Sequence, residues 1–581
     1  MRLLVSAAIK LKPFLLLLAS PTYLRTNTNT NRTVSFRNGS ALLLQTRNLG
    51  FSRRRASSST MAETTAVQVK EKIDLTDTER KIFDTLLNTL HHFDLNTELR
   101  VAGGWVRDKL LGKECYDIDI ALDNMLGRKF ADKVTKYLSD TGGKPPAGFG
   151  IIPSNPDQSK HLETARMMLF ELWIDFVNLR CEDYNENSRI PTMKFGTAEE
   201  DAYRRDLTIN SLFYNINTNS VEDLTGRGIE DLKSGKIVTP LPPKATFLDD
   251  PLRVLRAIRF GSRFVFILDE ELKKAATSDE VKTALAAKIS RERVGTEIDL
   301  MITGNQPVKA MTYICDLTLF WIVFNLPPKC EPAVSEGCDR LSVAYLDAAW
   351  KLIQLIGCSP FNDEQRRLSL YAALFIPFRM TTYKDNKGKE IPIVNYIFRD
   401  SLKRKASDAE TVINIHRALK KFLSLIPSLV SADKEVSGID WADELVDVPA
   451  PSKLRVLTGL LLREIKDFWR VALLISTLLY PTDVDCTQDI LSKNFQLDKR
   501  RDLFTEVENA IIKLGLEKVW DVKPLVNGKE IMNVLQLKSG GPLVREWQQK
   551  LLAWQLAHPS GTAEECFDWM KETHQKRIKR E

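Results

Sequence analysis

The chain has 581 residues, 43% of them hydrophobic and 27% charged, which is ordinary for a soluble globular protein with several domains and a large core. Its formal net charge of +7 is misleading, because ten of the 83 Lys and Arg residues and none of the 76 Asp and Glu residues lie in positions 1–60. The remainder holds 73 basic against 76 acidic side chains, which excludes a basic body and confines any nucleic-acid surface to a local patch.

Residues 1–60 contain arginines, Arg53, Arg54 and Arg55 among them, with many Ser, Thr and Asn and no acid. That is the composition of a mitochondrial or plastid transit peptide. Lys10 and Lys12 before the run FLLLLA also suit a secretory signal, but the run is short and an acid-free, arginine-rich segment follows it. Met61 opens the acid-containing AETTAVQ and offers a second start whose product would stay in the cytosol or nucleus. The basic end Lys576 to Arg580 is a weak nuclear signal.

Residues 74–92 have a polar start and apolar positions at helical spacing, so they read as a helix. LRVA then reads as a short strand, Gly103 and Gly104 as a tight turn, and WVRDKLL as the beginning of a helix. A helix N-terminus attracts phosphate, and Arg107 would add a full charge. In YDIDIAL, Asp117 and Asp119 alternate with Ile118 and Ile120, which on a strand puts both carboxylates on one face. Two such aspartates repel unless a cation lies between them, so the pattern suggests a divalent metal; an edge strand with a polar face is the plainer alternative. Residues 141–160 read as loop. MMLFELWIDFVNLR reads as strand, and its Asp175 is either a third carboxylate able to take a proton from an attacking hydroxyl or an exposed strand residue. Cys181 to Thr197 lacks periodicity and reads as a mobile loop. Arg204, Arg205 and Asp206 lead an apolar stretch, either as a structural ion pair or as ligands for sugar and phosphate. Gly226 and Gly228 mark turns.

DDPLRVLRAIRFG, Asp249 to Gly261, follows. Arg253, Arg256 and Arg259 recur every third residue and share one arc of a helix, with Leu252, Leu255 and Ile258 beside them. Asp250 is expected to cap that helix and Pro251 to fill its first position. From about residue 300 the strand signals fade and five long stretches, from YLDAAWKLIQLIG to LVREWQQKLLAWQL, have helical spacing. The organisation is therefore a mixed α/β head of about 150 residues and a long helical remainder. Eight cysteines without a CxxC pair, and six histidines without HExxH, exclude a disulfide framework and a zinc site. Beyond the presequence no apolar run reaches the roughly 18 residues of a membrane span, so the mature protein is expected to be soluble.

GGWVRD, Asp117–Ile118–Asp119, Arg204–Arg205–Asp206 with TIN, DDPLR and the ISRERV helix occur in this order. Together they closely resemble the class II tRNA nucleotidyltransferases, the CCA-adding enzymes, over roughly residues 96–300; Val526 to Trp547 is a weaker echo of that family's tail. The resemblance implies an α+β fold with a polymerase-β-like nucleotidyltransferase head and mixed sheet, then all-helical neck, body and tail domains. It also implies the organisation 1–60 organellar transit peptide, 61–95 helical lead-in, 96–245 head, 246–300 neck with the base-reading helix, 301–480 body and 481–581 tail, which binds tRNA. The implied activity is template-independent addition of C, C and A to the 3′ end of tRNA from CTP and ATP, releasing pyrophosphate.

By the same resemblance, Asp117 and Asp119 bind Mg2+; Asp175 is kept beside them as a candidate catalytic carboxylate on its place in the strand pattern alone. Gly104 and Arg107 hold phosphates, Arg205 and Asp206 contact the ribose, and Asp250 and Arg253 read the base edge with Arg256 and Arg259 in support. The partners implied are the acceptor arm of tRNA, CTP and ATP, and no membrane. The family's base-reading motif is usually EDxxR, and Asp249 here replaces the glutamate, which puts any supporting bond from that position in doubt. The long segment at 181–197 points to full CCA rather than CC-only addition. A poly(A) polymerase of the same superfamily is the alternative, since it shares the head motifs; a non-catalytic RNA-binding protein would be expected to have lost Asp117, Asp119 or Arg205.

Overall fold

The computed structural model describes residues 67–578 apart from 145, 153–163, 184–191, 358, 432–447 and 482–486. The expected presequence and the alternative start at Met61 lie outside the described residues. Helix α1 (Asp77–His92) begins with a reciprocal cap in which Thr76 Oγ1 accepts from the Glu79 amide and the Glu79 carboxylate accepts from the Thr76 amide. Glu79 is itself buried and accepts from Trp105 Nε1 at 3.1 Å and Lys109 Nζ at 2.9 Å. The residue that stops α1 from fraying thereby ties it to the next helix, at the cost of desolvating one ion pair.

The head is built on a seven-stranded sheet. Its strands are β1 (Leu99–Ala102), β2 (Ile118–Leu122), β3 (Gly148–Ile152), β4 (Thr164–Leu169), β5 (Leu172–Asn178), β8 (Phe213–Asn215) and β9 (Ser220–Glu222), in the spatial order β3-β4-β5-β2-β1-β8-β9. Only β2 and β5 run parallel and the other neighbours are antiparallel, so the sheet is mixed. Helices α2 (Gly104–Leu110) and α3 (Gly127–Asp140) follow β1 and β2. Ile118 and Ile120 are buried, as the alternation requires. On that same face the Phe130 ring of α3 meets the Phe176 ring of β5 at 5.4 Å, which leaves the aspartate face of the sheet without α3. On the open face Ala102, Ala121, Leu179, Ala202 and Phe213 form a small separate cluster that seats α4 (Ala198–Tyr203).

Three expectations need correction here. MMLFELWIDFVNLR is the end of β4 and all of β5, joined by a turn at Phe170 and Glu171 with φ of 48° and 68°. No Gly, Asn or Pro marks that turn, so the sequence hides it. Residues 141–160 contain edge strand β3, whose two glycines lower its strand signal. The arms of the supposed mobile loop are strands β6 (Arg180–Asp183) and β7 (Thr192–Phe195), which pair antiparallel; its middle, 184–191, lies outside the described residues.

Beyond the head come α5 (Gly228–Lys233), α6 (Pro243–Asp249), α7 (Leu252–Phe264), α8 (Glu270–Ala276), α9 (Asp279–Lys288) and α10 (Arg291–Ile302). The body is helical, with long helices at Cys338–Ile356, Asp363–Leu374, Ala406–Val430, Ala450–Ile465 and Trp469–Leu478. Two details depart from the sequence reading. KLRVLTGLLLREIKDFWRVALLIS breaks into two helices at Lys466, where φ is 52°, and a two-stranded hairpin, Thr382–Lys384 with Glu390–Pro392, interrupts the helical body. One continuous apolar core runs from α1 into the body, while Val526, Ile531, Val544, Trp547, Cys566 and Met570 belong to a second core at the tail. Among the described residues no helix is long and apolar enough to cross a membrane.

Candidate active site

A cavity of about 770 Å³ opens on the aspartate face of the sheet, bounded by the turn after β1, the strands β2 and β5, the segment after α4, and the helices α7 and α10. Asp117 directly precedes β2 and Asp119 lies within it. Because β2 and β5 are parallel and in register, Asp119 stands opposite Asp175, so all three carboxylates line one wall. Asp119 is pushed up to about 6, first by burial and then by the negative charges of Asp117 and Asp175. Arg166 offsets part of this crowding, its Nε standing 3.2 Å from Asp175 Oδ1.

Oxygen donors of one sign, so close that one resists ionisation, are the donor set a hard divalent cation takes. Among the described residues no three or more carboxylates, imidazoles and thiols form a ready-made metal cage. Two aspartates with space beside them suit an ion that takes its other ligands from a bound phosphate and water.

The turn after β1 depends on Gly103. Its φ is +68°, and a Cβ there would lie 2.7 Å from Arg205 Nη1 and 3.2 Å from the Asn210 carbonyl. A Cβ on Gly104 would make only ordinary contact with Arg107. Arg107 lines the cavity but is 3% exposed. Its Nε donates to Asp108 Oδ1 at 2.8 Å, its Nη1 donates to the Asn210 side chain, and its guanidinium lies over the rings of Phe260 and Phe264. Arg107 is therefore a buried, pre-aimed charge rather than a free grip on phosphate. Arg263, which faces the cavity with about half its side chain exposed, is the more accessible cation and sits 3.4 Å from Asp108 Oδ2.

Arg204, Arg205 and Asp206 all line the cavity, but the two arginines and the aspartate have different partners. Asp201, almost fully buried, accepts from Arg204 Nε at 2.8 Å and from Arg205 Nε and Nη2 at 3.0 and 2.7 Å. Burial alone would raise Asp201, but the two guanidiniums hold it below the usual carboxylate range. Arg205 is thereby aimed at the cavity, with its other arm on the Asn210 carbonyl. Asp206 also lines the cavity, with Oδ1 accepting from Asn210 Nδ2 at 3.0 Å and Oδ2 from Arg256 Nε at 2.6 Å. Burial would raise it too, yet Arg256, the Asn210 bond and Arg253 hold it down at about 2. Both oxygens are engaged, so Asp206 positions Arg256 from within the cavity wall.

The arginine arc of α7 is real but is not a solvated face. Arg253 Nη2 donates to the Arg204 carbonyl at 2.7 Å, Arg256 meets Asp206, and Arg259 Nε donates to Glu297 of α10 at 2.6 Å. Arg253 and Arg256 line the cavity and Arg259 lies behind them. The helix begins one residue later than expected, with Pro251 at the cap and Leu252 first. Asp250 still accepts from the Leu252 amide at 3.2 Å. Asp249 ends the preceding helix α6 and does not line the cavity. Asp250 Oδ2 accepts from Arg293 Nη2 at 2.9 Å, and Arg293 Nη1 is buried with no hydrogen-bond partner. Arg293 belongs to the ISRERV segment. Sequence reasoning singled out that helix, and the TIN segment that ends in Asn210, without naming either residue, and it missed Asp201 and Arg263.

Residues 99–238 match the model of the Poly A polymerase head domain. The chain is 34% identical over 513 residues to the tRNA nucleotidyltransferase cca2 of Schizosaccharomyces pombe, a match covering 86% of this chain and 99% of that relative. It is 32% identical over 551 residues to the mitochondrial CCA tRNA nucleotidyltransferase of Saccharomyces cerevisiae, covering 89% and 96%. The fold is similar to that of the Bacillus stearothermophilus CCA-adding enzyme solved with CTP, with a TM-score of 0.55, 18% identity, and 87% and 100% of the two chains covered.

Proposed function

The chain belongs to the CCA tRNA nucleotidyltransferases, and from that premise we propose that it adds C, C and A in turn to the 3′ end of tRNA, using CTP and ATP and releasing pyrophosphate. The observation that carries this reading is that a wall of carboxylates and the Asp250–Arg253 pair face one cavity. The 3′-hydroxyl of the RNA attacks the α-phosphorus, a new P–O bond forms, and the bond to pyrophosphate breaks. Asp117 and Asp119 would hold magnesium, whose charge favours the hydroxyl's deprotonation and steadies the triphosphate. Asp175 stands beside them to orient the attacking group. Arg263 and the Gly104 amide receive phosphate oxygens, with Arg107 as a buried charge behind them.

Arg205, fixed by Asp201, contacts the ribose. Asp250 and Arg253 offer an acceptor and a donor fork to the base edge, while Arg256 and Arg259 hold α7 in place through Asp206 and Glu297. A base that leaves one of these buried groups unpaired loses about 1–3 kcal/mol per group, which disfavours UTP and GTP. Residues 481–581, in which Val526 to Met570 contribute a separate apolar core, are the part we assign to tRNA holding. Import into mitochondria is supported by the acid-free presequence and by the likeness to the mitochondrial CCA tRNA nucleotidyltransferase of Saccharomyces cerevisiae.

The test uses protein beginning at Met61 and a tRNA transcript lacking its last three nucleotides, given magnesium with each nucleotide singly and together. Two additions with CTP, a third only when ATP is also present, and then arrest are expected. A lengthening ladder with ATP alone, on unstructured RNA as well, would make the chain a poly(A) polymerase. Fusion of residues 1–60 to a fluorescent protein tests the import, with mitochondrial labelling expected and a secretory or plastid pattern against it.

A further inference from the structure

On the carboxylate face of the sheet one large side chain has no part in the reaction so far. Trp173 precedes Asp175 by two residues on β5 and so shares its face. The parallel register, with Ile118 opposite Ile174, brings Trp173 level with Asp117. Its side chain is 39% exposed, although an indole gains much from burial. The structure nonetheless holds it in a shaped place. A Cβ at Gly148, on edge strand β3, would come 2.8 Å from the indole, so only glycine lets the ring lie there. Arg166 on β4 places its guanidinium 5.2 Å from the ring centre while its Nε is held by Asp175.

The position matters because nucleotidyl transfer brings two substrates to one row of carboxylates. Asp250, Arg253, Arg256, Arg293 and Arg205 line the cavity and account for the incoming nucleotide. The sheet runs from β2 through β5 and β4 to β3, and Trp173 lies on that flank, outside the lining of the cavity that takes the nucleotide, where the hydroxyl-bearing RNA end can approach the same carboxylates.

We propose that Trp173, backed by Gly148 and flanked by Arg166, is the stacking platform for the base of the RNA's 3′-terminal nucleotide. This rests on the reading of the chain as an RNA 3′-end nucleotidyltransferase. An aromatic platform suits the task, because the terminal base changes with each addition and every base has a π-face, whereas a hydrogen-bonding pocket would read only one. Arg166 adds a cation beside the stacked base and the backbone.

The experiment compares the unaltered full chain with Trp173→Ala, Trp173→Leu and Trp173→Phe, on tRNA ending in one added C and on the same RNA with that terminal nucleotide abasic. Loss of the indole is expected to raise KM for the RNA about tenfold, equally in the Ala and Leu variants, with KM for CTP and the melting temperature unchanged. Phe should restore most of the loss. The abasic end should weaken the unaltered chain to the same degree and add nothing to Trp173→Leu, because each change removes the same contact. Multiplying losses, an unchanged KM for RNA, or an effect on CTP alone would overturn the platform while leaving the enzyme's activity in place. No extension of either RNA by the unaltered chain would remove the underlying reading and the platform with it.

Discussion

Two walls of one cavity treat charge in opposite ways. On β2 and β5 three carboxylates share a face with one arginine beside them, and Asp119 is driven up to about 6. On α4, α7 and α10 every charge named has a partner: Asp201 holds two arginines, Asp206 is held at about 2, Asp250 meets Arg293, and Arg259 meets Glu297. The first wall is an incomplete charge distribution that substrates and a cation complete. The second is a paired network, open at the buried Arg293 Nη1, whose edges are fixed before any nucleotide arrives, which is what discrimination between bases requires. Chemistry and selection are thus separable, and substitutions should divide along that line.

The largest effect is expected from Asp119→Asn. Removing one of two aspartates proposed to hold the cation forfeits several kcal/mol of charge stabilisation, on the order of 10³-fold in kcat for either nucleotide. The same change should stabilise the metal-free protein. The folded carboxyl, at about 6, lies above its unfolded value of 3.8, so the fold binds the extra proton between those values and loses stability as pH rises through them. At pH 7 and above the asparagine variant should therefore be more stable by about 3 kcal/mol, and below pH 4 it should not; denaturant melts at both pH values with a chelator measure this. A less stable variant at pH 7 would break the contrast between the walls.

Asp201→Asn attacks the paired wall. It leaves Arg204 and Arg205 without their shared carboxylate and should cost about 3 kcal/mol of stability, with a further loss of discrimination against 2′-deoxynucleotides measured by competition. Arg293→Gln is milder. Asp250 keeps its bond from the Leu252 amide and loses its outer partner, so preference for CTP over UTP should fall about tenfold while KM for RNA stays unchanged.

Much of the first wall was legible in the sequence, and less of the second. A period of two along Asp117–Ile120 is a local signal, and it held because the isoleucines had a core to face. The three-residue arginine period was equally visible, but what those arginines do was not. Their partners Asp206, Glu297 and the Arg204 carbonyl are distant in sequence or not side chains at all. Asp201 and Arg293 carry no pattern of their own, since the meaning of each comes from a pairing made only in the folded chain. The edge strand β3 was hidden by its two glycines, of which Gly148 makes room for Trp173, a tertiary reason. The turn at Phe170 and Glu171 lacks turn residues and is held by the strands on either side.

The separation of the walls is tested most directly by Asp250→Ala, with CTP and UTP competing for the first addition to a tRNA lacking its last three nucleotides. Magnesium-dependent addition should persist at a reduced rate while the preference for CTP falls by an order of magnitude or more. An unchanged preference at any rate would contradict the assignment of selection to the α7 wall.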